Sequence, residues 1–134
     1  MILDASVIAK WFLIEDSTDK ALKIREEYIE GNRDIAIPDL LLYELANLLR
    51  YKDFKEEDVK KAVSSILNMD FFIATASHTL LERSIEISLE CDITIYDATY
   101  VALSDSLGMD MITADVRLFE KTTSKYMTKL LKDL

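Results

Sequence analysis

The stretch Asp92–Asp115, DITIYDATYVALSDSLGMDMITAD, decides how the rest of the chain is read. Its spacing predicts a helix from Thr94 to Leu107, a stop at Gly108, a short strand Met111–Thr113 and a new helix beyond. Asp97 falls in the first helical turn. Its i+3, i+4 and i+7 neighbours are Tyr100, Val101 and Ser104, so a carboxylate shares a largely apolar face. Ala98 and Ala102 let that helix approach a sheet closely. Asp115 follows the strand, where open α/β sheets place their ligands. Each acid also has a purely structural reading: Thr94 as an N-cap with Asp97 at the third helical position, and Asp115 as the N-cap of the helix from Val116.

Working outward, short apolar segments alternate with helical ones. Met1–Leu3, Ile35–Ile37 and Phe71–Ala74 read as strands beside Met111–Thr113, and Tyr126–Leu130 as a last edge strand. Helical turns are expected over Ser6–Phe12. Longer helices are expected over Asp19–Glu30, capped by Ser17 or Thr18, and over Asp39–Arg50, with Leu41, Leu45 and Leu48 on one side. Another runs to Asn68 with a stripe of Val59, Val63, Ile66 and Leu67. The next spans Thr79–Glu90, capped by Ser77, with Leu81, Ile85 and Leu89 spaced by four, and a short one covers Val116–Lys121. Strands separated by helices argue an α/β fold: a parallel sheet with helices on both faces.

At 134 residues, half of them hydrophobic, the chain is expected to form one domain, 1–134. No apolar run approaches the ~20 residues of a membrane span, and the opening Met1-Ile2-Leu3-Asp4 lacks the pattern of a signal peptide. A cytoplasmic protein is expected, with the single cysteine, Cys91, a filler at a helix end. One cysteine and one histidine argue against a zinc site of the usual ligands. Carboxylate sites for Mg²⁺ or Mn²⁺ remain open. The net charge of −9 disfavours loose electrostatic binding of nucleic acid, but not an enzyme that meets phosphates through metal ions. Two glycines and no glycine-rich loop remove the usual nucleotide-binding signatures.

Glu44 is the oddest residue. Leu40, Leu41 and Leu48 lie at i−4, i−3 and i+4, and an unpaired buried carboxylate costs several kcal/mol, so ~3 or more. It either reaches water at the stripe edge or is retained for chemistry. Asp4 ends the first strand and precedes Ala5-Ser6, as a turn or cap residue would. In a parallel sheet Asp4, Glu44, Asp97 and Asp115 can converge at one edge. Together they would repel one another and raise some pKa values. A divalent cation resolves that conflict.

These same segments resemble a known family. Leu3-Asp4-Ala5-Ser6-Val7, Pro38-Asp39-Leu40-Leu41-Leu42-Tyr43-Glu44-Leu45-Ala46-Asn47, Ile95-Tyr96-Asp97-Ala98-Thr99-Tyr100-Val101-Ala102-Leu103-Ser104 and Thr113-Ala114-Asp115-Val116-Arg117-Leu118 are similar to the four motifs of PIN-domain ribonucleases, above all the VapC-type toxins of toxin–antitoxin pairs. The likeness runs through nearly the whole chain in order. It implies a three-layer α/β/α PIN-like fold with a short central parallel sheet, RNA cleavage, a homodimer and a cognate antitoxin. The family's acidic set maps to Asp4, Glu44, Asp97 and Asp115.

On that resemblance Asp4 and Asp97 are the principal ligands of Mg²⁺, for which Mn²⁺ can substitute. Asp115 completes the site, and Glu44 orients the attacking water or binds metal through water. Ser6 and Thr113 support the carboxylates. Lys10 and Arg117 are candidates for gripping the RNA backbone, or else ordinary surface charge. Trp11, Phe12 and the leucine-rich helix after Pro38 are core, or part of a dimer or antitoxin surface. A haloacid-dehalogenase-like phosphatase would want a second aspartate where Ser6 stands. A phospho-receiver would want a further acidic pair near the first strand. A catalytically silent PIN-like binding or scaffold module is the non-enzyme alternative.

Overall fold

A computed structural model describes residues 1–134. Five strands, β1 (Ile2–Leu3), β2 (Ala36–Pro38), β3 (Phe72–Ala74), β4 (Met111–Thr113) and β5 (Thr128–Leu130), form one parallel sheet in the order β3-β2-β1-β4-β5. Helices α1 (Ala5–Ile8), extended by a 3₁₀ turn Ala9–Trp11, and α2 (Thr18–Ile29) link β1 to β2. Helices α3 (Leu40–Tyr51) and α4 (Glu56–Leu67) link β2 to β3, and α5 (His78–Cys91) and α6 (Ile95–Leu107) carry the chain from β3 across to β4. Helix α7 (Val116–Thr122) precedes β5. Right-handed crossovers put α1–α4 on one face of the sheet and α5–α7 on the other, which is the three-layer arrangement expected.

Strands covered on both faces need apolar residues at every position. Ile2, Leu3, Ile37, Met111 and Ile112 are accordingly buried. Helix α6 is buried on every side from Ala98 through Ser104. It packs on β1, β2, β4 and α5, and its alanines keep the approach close. The helix ends at Gly108, whose φ of +63° lies in the left-handed region where a side chain is strained.

Several sequence-based expectations change. Helix α5 does not bury the Leu81, Ile85, Leu89 row. Those three are exposed, while Ser84 and Ile87 are buried and Leu80 is half-buried against the core. Spacing alone finds an apolar row, and it is the docking of α5 on α6 that selects which row is covered. On α4 the buried residues are Ala62 and Ile66, and Leu67 is exposed. On α3 the inner row is Leu41, Leu45 and Leu49, with Leu48 half-buried beside it. Ser17 adopts φ +64° and makes no capping bond to α2. The Thr18 hydroxyl instead donates to the Leu13 carbonyl and accepts from the Glu15 N–H. Trp11 is core: it is 7% exposed and its indole N–H donates to the Ala21 carbonyl at 2.8 Å. It is therefore not free to form a docking surface.

Candidate active site

The order β3-β2-β1-β4-β5 reverses direction between β1 and β4, and such a switch point opens a crevice beyond the strands' carboxyl ends. Asp4 follows β1 there and Asp115 follows β4. Both also cap helices. Asp4 Oδ1 accepts from the Val7 N–H at 3.2 Å, and Asp115 Oδ1 accepts from the Arg117 and Leu118 N–H groups at 2.9 and 3.1 Å. The capping reading and the functional reading therefore describe the same side chains, since a cap fixes the carboxylate at the crevice. Ser6 ties the two loops together. Its hydroxyl donates to Asp4 Oδ1 at 2.5 Å and accepts from the Ala114 N–H at 2.9 Å. Thr113 is fully buried, and its hydroxyl accepts from the Asp115 N–H at 3.0 Å.

Asp97 enters from the start of α6, whose N-cap is Thr94: the Thr94 hydroxyl accepts from the Asp97 N–H at 3.1 Å. It stands immediately before the buried run of α6. Glu44 comes from α3 and is half-buried at the edge of the leucine row rather than beneath it. Its Oε1 accepts a hydrogen bond from the hydroxyl of Tyr100, on α6, at 2.9 Å. Asp4, Ser6, Glu44, Asp97, Tyr100 and Asp115 line one cavity of about 310 Å³. The four acids predicted from the sequence thus share a single pocket.

Charge in this pocket is costly. Burial raises the Asp4 carboxyl from 3.8 to about 6, against hydrogen bonds from Ser6, Thr113 and Val7, and Asp97 raises it further. Burial also raises Glu44, offset by the Tyr100 hydroxyl and reinforced by Asp97 and Asp4. Asp97 is raised by burial and then by Asp115, against the Thr94 hydroxyl. The Tyr100 phenol, desolvated and beside Glu44, is held far above its ordinary range and stays protonated as a donor.

Hard oxygen donors and mutual repulsion are what a divalent cation would relieve. No three acidic, histidine or cysteine side chains of the chain stand close enough together to surround one ion. Asp4 and Asp115 are turned toward their capping N–H groups, and Glu44 toward Tyr100. The donor set still fits Mg²⁺, which is held by one or two carboxylates and keeps several waters. It does not fit an ion caged by all four acids.

A second cavity of about 480 Å³ adjoins the first, sharing Asp97 and Asp115 and bringing Arg117 and Lys121 to its wall. These two lie one turn apart on α7. Lys121 Nζ donates to the Asp92 carbonyl at 2.6 Å and pairs at 3.4 Å with the Asp92 carboxylate, which is fully exposed and so held weakly. Only its i+4 spacing from Arg117 marks Lys121 in the sequence. The sequence places Tyr100 beside Asp97 without showing its partner, although a buried tyrosine hydroxyl requires one. Lys10 is not brought to either cavity: it is 8% exposed and bonded to Glu15 at 3.1 Å. His78 is exposed at the start of α5 and lines neither cavity. A larger cavity of about 530 Å³ between β3, α5 and α6 is mainly apolar, and its one carboxylate, Asp105, is paired with Arg83.

The family model of the PIN domain matches residues 1–125, and the chain belongs to that family. It is 29% identical over 128 residues to Ribonuclease VapC3 of Pyrobaculum aerophilum, covering 90% of this chain and 93% of that one. Its fold is similar to that of VapBC2 from Rickettsia felis, solved bound to a promoter DNA fragment, with a TM-score of 0.71, 17% identity and 96% of each chain covered. It is also similar to VapC20 of Mycobacterium tuberculosis, a toxin that cleaves the sarcin–ricin loop, with a TM-score of 0.71, 15% identity, and 93% of this chain and 95% of that one covered. No helix is long and apolar enough to cross a membrane.

Proposed function

We propose that this PIN domain is a Mg²⁺- or Mn²⁺-dependent ribonuclease, the toxin of a toxin–antitoxin pair, acting in the cytoplasm as a homodimer. The observation that carries the reading is the shared cavity of Asp4, Glu44, Asp97 and Asp115 at the sheet's switch point. The near full-length likeness to a VapC ribonuclease supports the substrate class. A solved relative from Klebsiella pneumoniae is itself a toxin–antitoxin complex, which supports the antitoxin partner.

A bound divalent ion would supply a Lewis acid for the phosphoryl oxygens and a water of lowered pKa. Asp4 and Asp97 would hold it, directly or through water, and Asp115 would meet it through water or help hold a second ion. Glu44 would orient the attacking water and accept its proton. Arg117 and Lys121 bind the phosphate next to the scissile one, which lets a chain of net charge −9 hold RNA. Attack by water leaves a 5′-phosphate and a 3′-hydroxyl; a 2′,3′-cyclic phosphate product would refute that part.

The test is RNA cleavage by wild type and Asp97→Asn, with Mg²⁺ or Mn²⁺ and then with a chelator. Cleavage by wild type alone, abolished by the chelator, supports the reading. Equal cleavage by both proteins overturns it and points to contamination or another site, and cleavage by neither overturns it in favour of a silent PIN module. Light scattering of the purified chain checks the dimer.

A further inference from the structure

We infer that Tyr100 is a positioning residue that holds Glu44 toward the acidic cavity through its hydroxyl. The inference rests on the nuclease reading above and adds a residue to it. Tyr100 is 1% exposed, and its ring is fixed within the buried part of α6. Its hydroxyl reaches across to α3 and donates to Glu44 Oε1 at 2.9 Å, the only hydrogen bond made by the Glu44 carboxylate. Tyr100 also lines the cavity with the four acids.

A buried tyrosine needs an acceptor, and a backbone carbonyl would serve as well. The acceptor here is a half-buried carboxylate that already feels Asp97 and Asp4. Supplying an acceptor in that form is expensive, because it desolvates a charge beside two like charges. The arrangement makes sense when the carboxylate is the object and the phenol its support. A glutamate carries three side-chain torsions, and without an anchor its carboxylate would swing toward water at the stripe edge. One oxygen is occupied by Tyr100, which leaves Oε2 for a hydrated ion or the attacking water.

The experiment compares wild type, Tyr100→Phe, Glu44→Gln and the double variant. It measures Mn²⁺ affinity by calorimetry and RNA cleavage at saturating and subsaturating RNA. Removing only the hydroxyl keeps the ring packing, and circular dichroism confirms the fold. The expected result for Tyr100→Phe is a loss of about ten- to a hundredfold in Mn²⁺ affinity, in kcat or in both, with KM unchanged, since hydrogen bonds to charged groups are worth that much. In the Glu44→Gln background the same change should cost nothing further. Wild-type values for Tyr100→Phe, or an equal loss in both backgrounds, overturn the inference. If wild type binds Mn²⁺ but does not cleave RNA, the nuclease reading fails while the coupling in Mn²⁺ affinity still decides the role of Tyr100.

Discussion

The hydroxyl of Ser6 donates to Asp4 Oδ1 at 2.5 Å while accepting from the Ala114 N–H at 2.9 Å, so one oxygen joins the loops after β1 and β4. Ser6→Ala leaves the Ala114 N–H without that acceptor and strips a donor from a buried carboxylate. The expected cost is about 1–3 kcal/mol, read from the urea midpoint with an unchanged slope. A midpoint equal to wild type would show that the two loops do not depend on this hydroxyl.

Asp97 is repelled by Asp115 in the absence of a cation and meets the cavity at the start of α6. Asp97→Asn should lower RNA cleavage on the order of a hundredfold or more. The same change should raise the thermal midpoint of the metal-free protein, because a half-buried like charge is removed. Wild type should gain stability on adding Mg²⁺ as a ligand that binds only the folded state, and Asp97→Asn should gain less. Equal gains in differential scanning fluorimetry would remove Asp97 from the ion site.

Asp4 sets a pH dependence whose sign is opposite to that of a salt-bridged aspartate. Its folded-state pKa, about 6, lies above the ordinary 3.8. The folded state therefore binds the proton more tightly, and this contribution is full below about pH 4 and lost as pH rises through 6. The shift corresponds to about 3 kcal/mol. In chelator, Asp4→Asn should flatten the fall in stability between about pH 4 and 6.5, the range between its unfolded and folded pKa values, while still capping α1 with its side-chain oxygen. A wild-type slope retained in the variant would assign the effect to another group.

Arg117 and Lys121 face the cavity beside the acids rather than the acids' own pocket. Arg117→Ala and Lys121→Ala should each raise KM for RNA several-fold, with a smaller change in kcat. Each should also reduce the salt slope of binding by about 1. An unaltered salt slope in fluorescence anisotropy with a non-cleavable RNA would place the backbone elsewhere. Lys10→Ala serves as the contrast, because its ammonium is buried away from both cavities and occupied by Glu15. It should leave RNA affinity unchanged.

The amino-acid order alone determined the alternation of strands and helices, the glycine stop after α6 and the four acids. Each of these is a local or periodic signal: a short apolar run, a left-handed position, a carboxylate among leucines. Capping was also legible, since Asp115 and Thr94 satisfy N–H groups two or three residues on. Which apolar row of α5 is covered, that Lys10 is spent on Glu15, that Lys121 joins Arg117 at a cavity, and that Tyr100 reaches Glu44 were decided by the tertiary fold. Those facts depend on how α5, α6, α3 and α7 dock on the sheet. A sequence pattern specifies the faces of an element, whereas the partner that meets each face comes from packing residues that are distant along the chain.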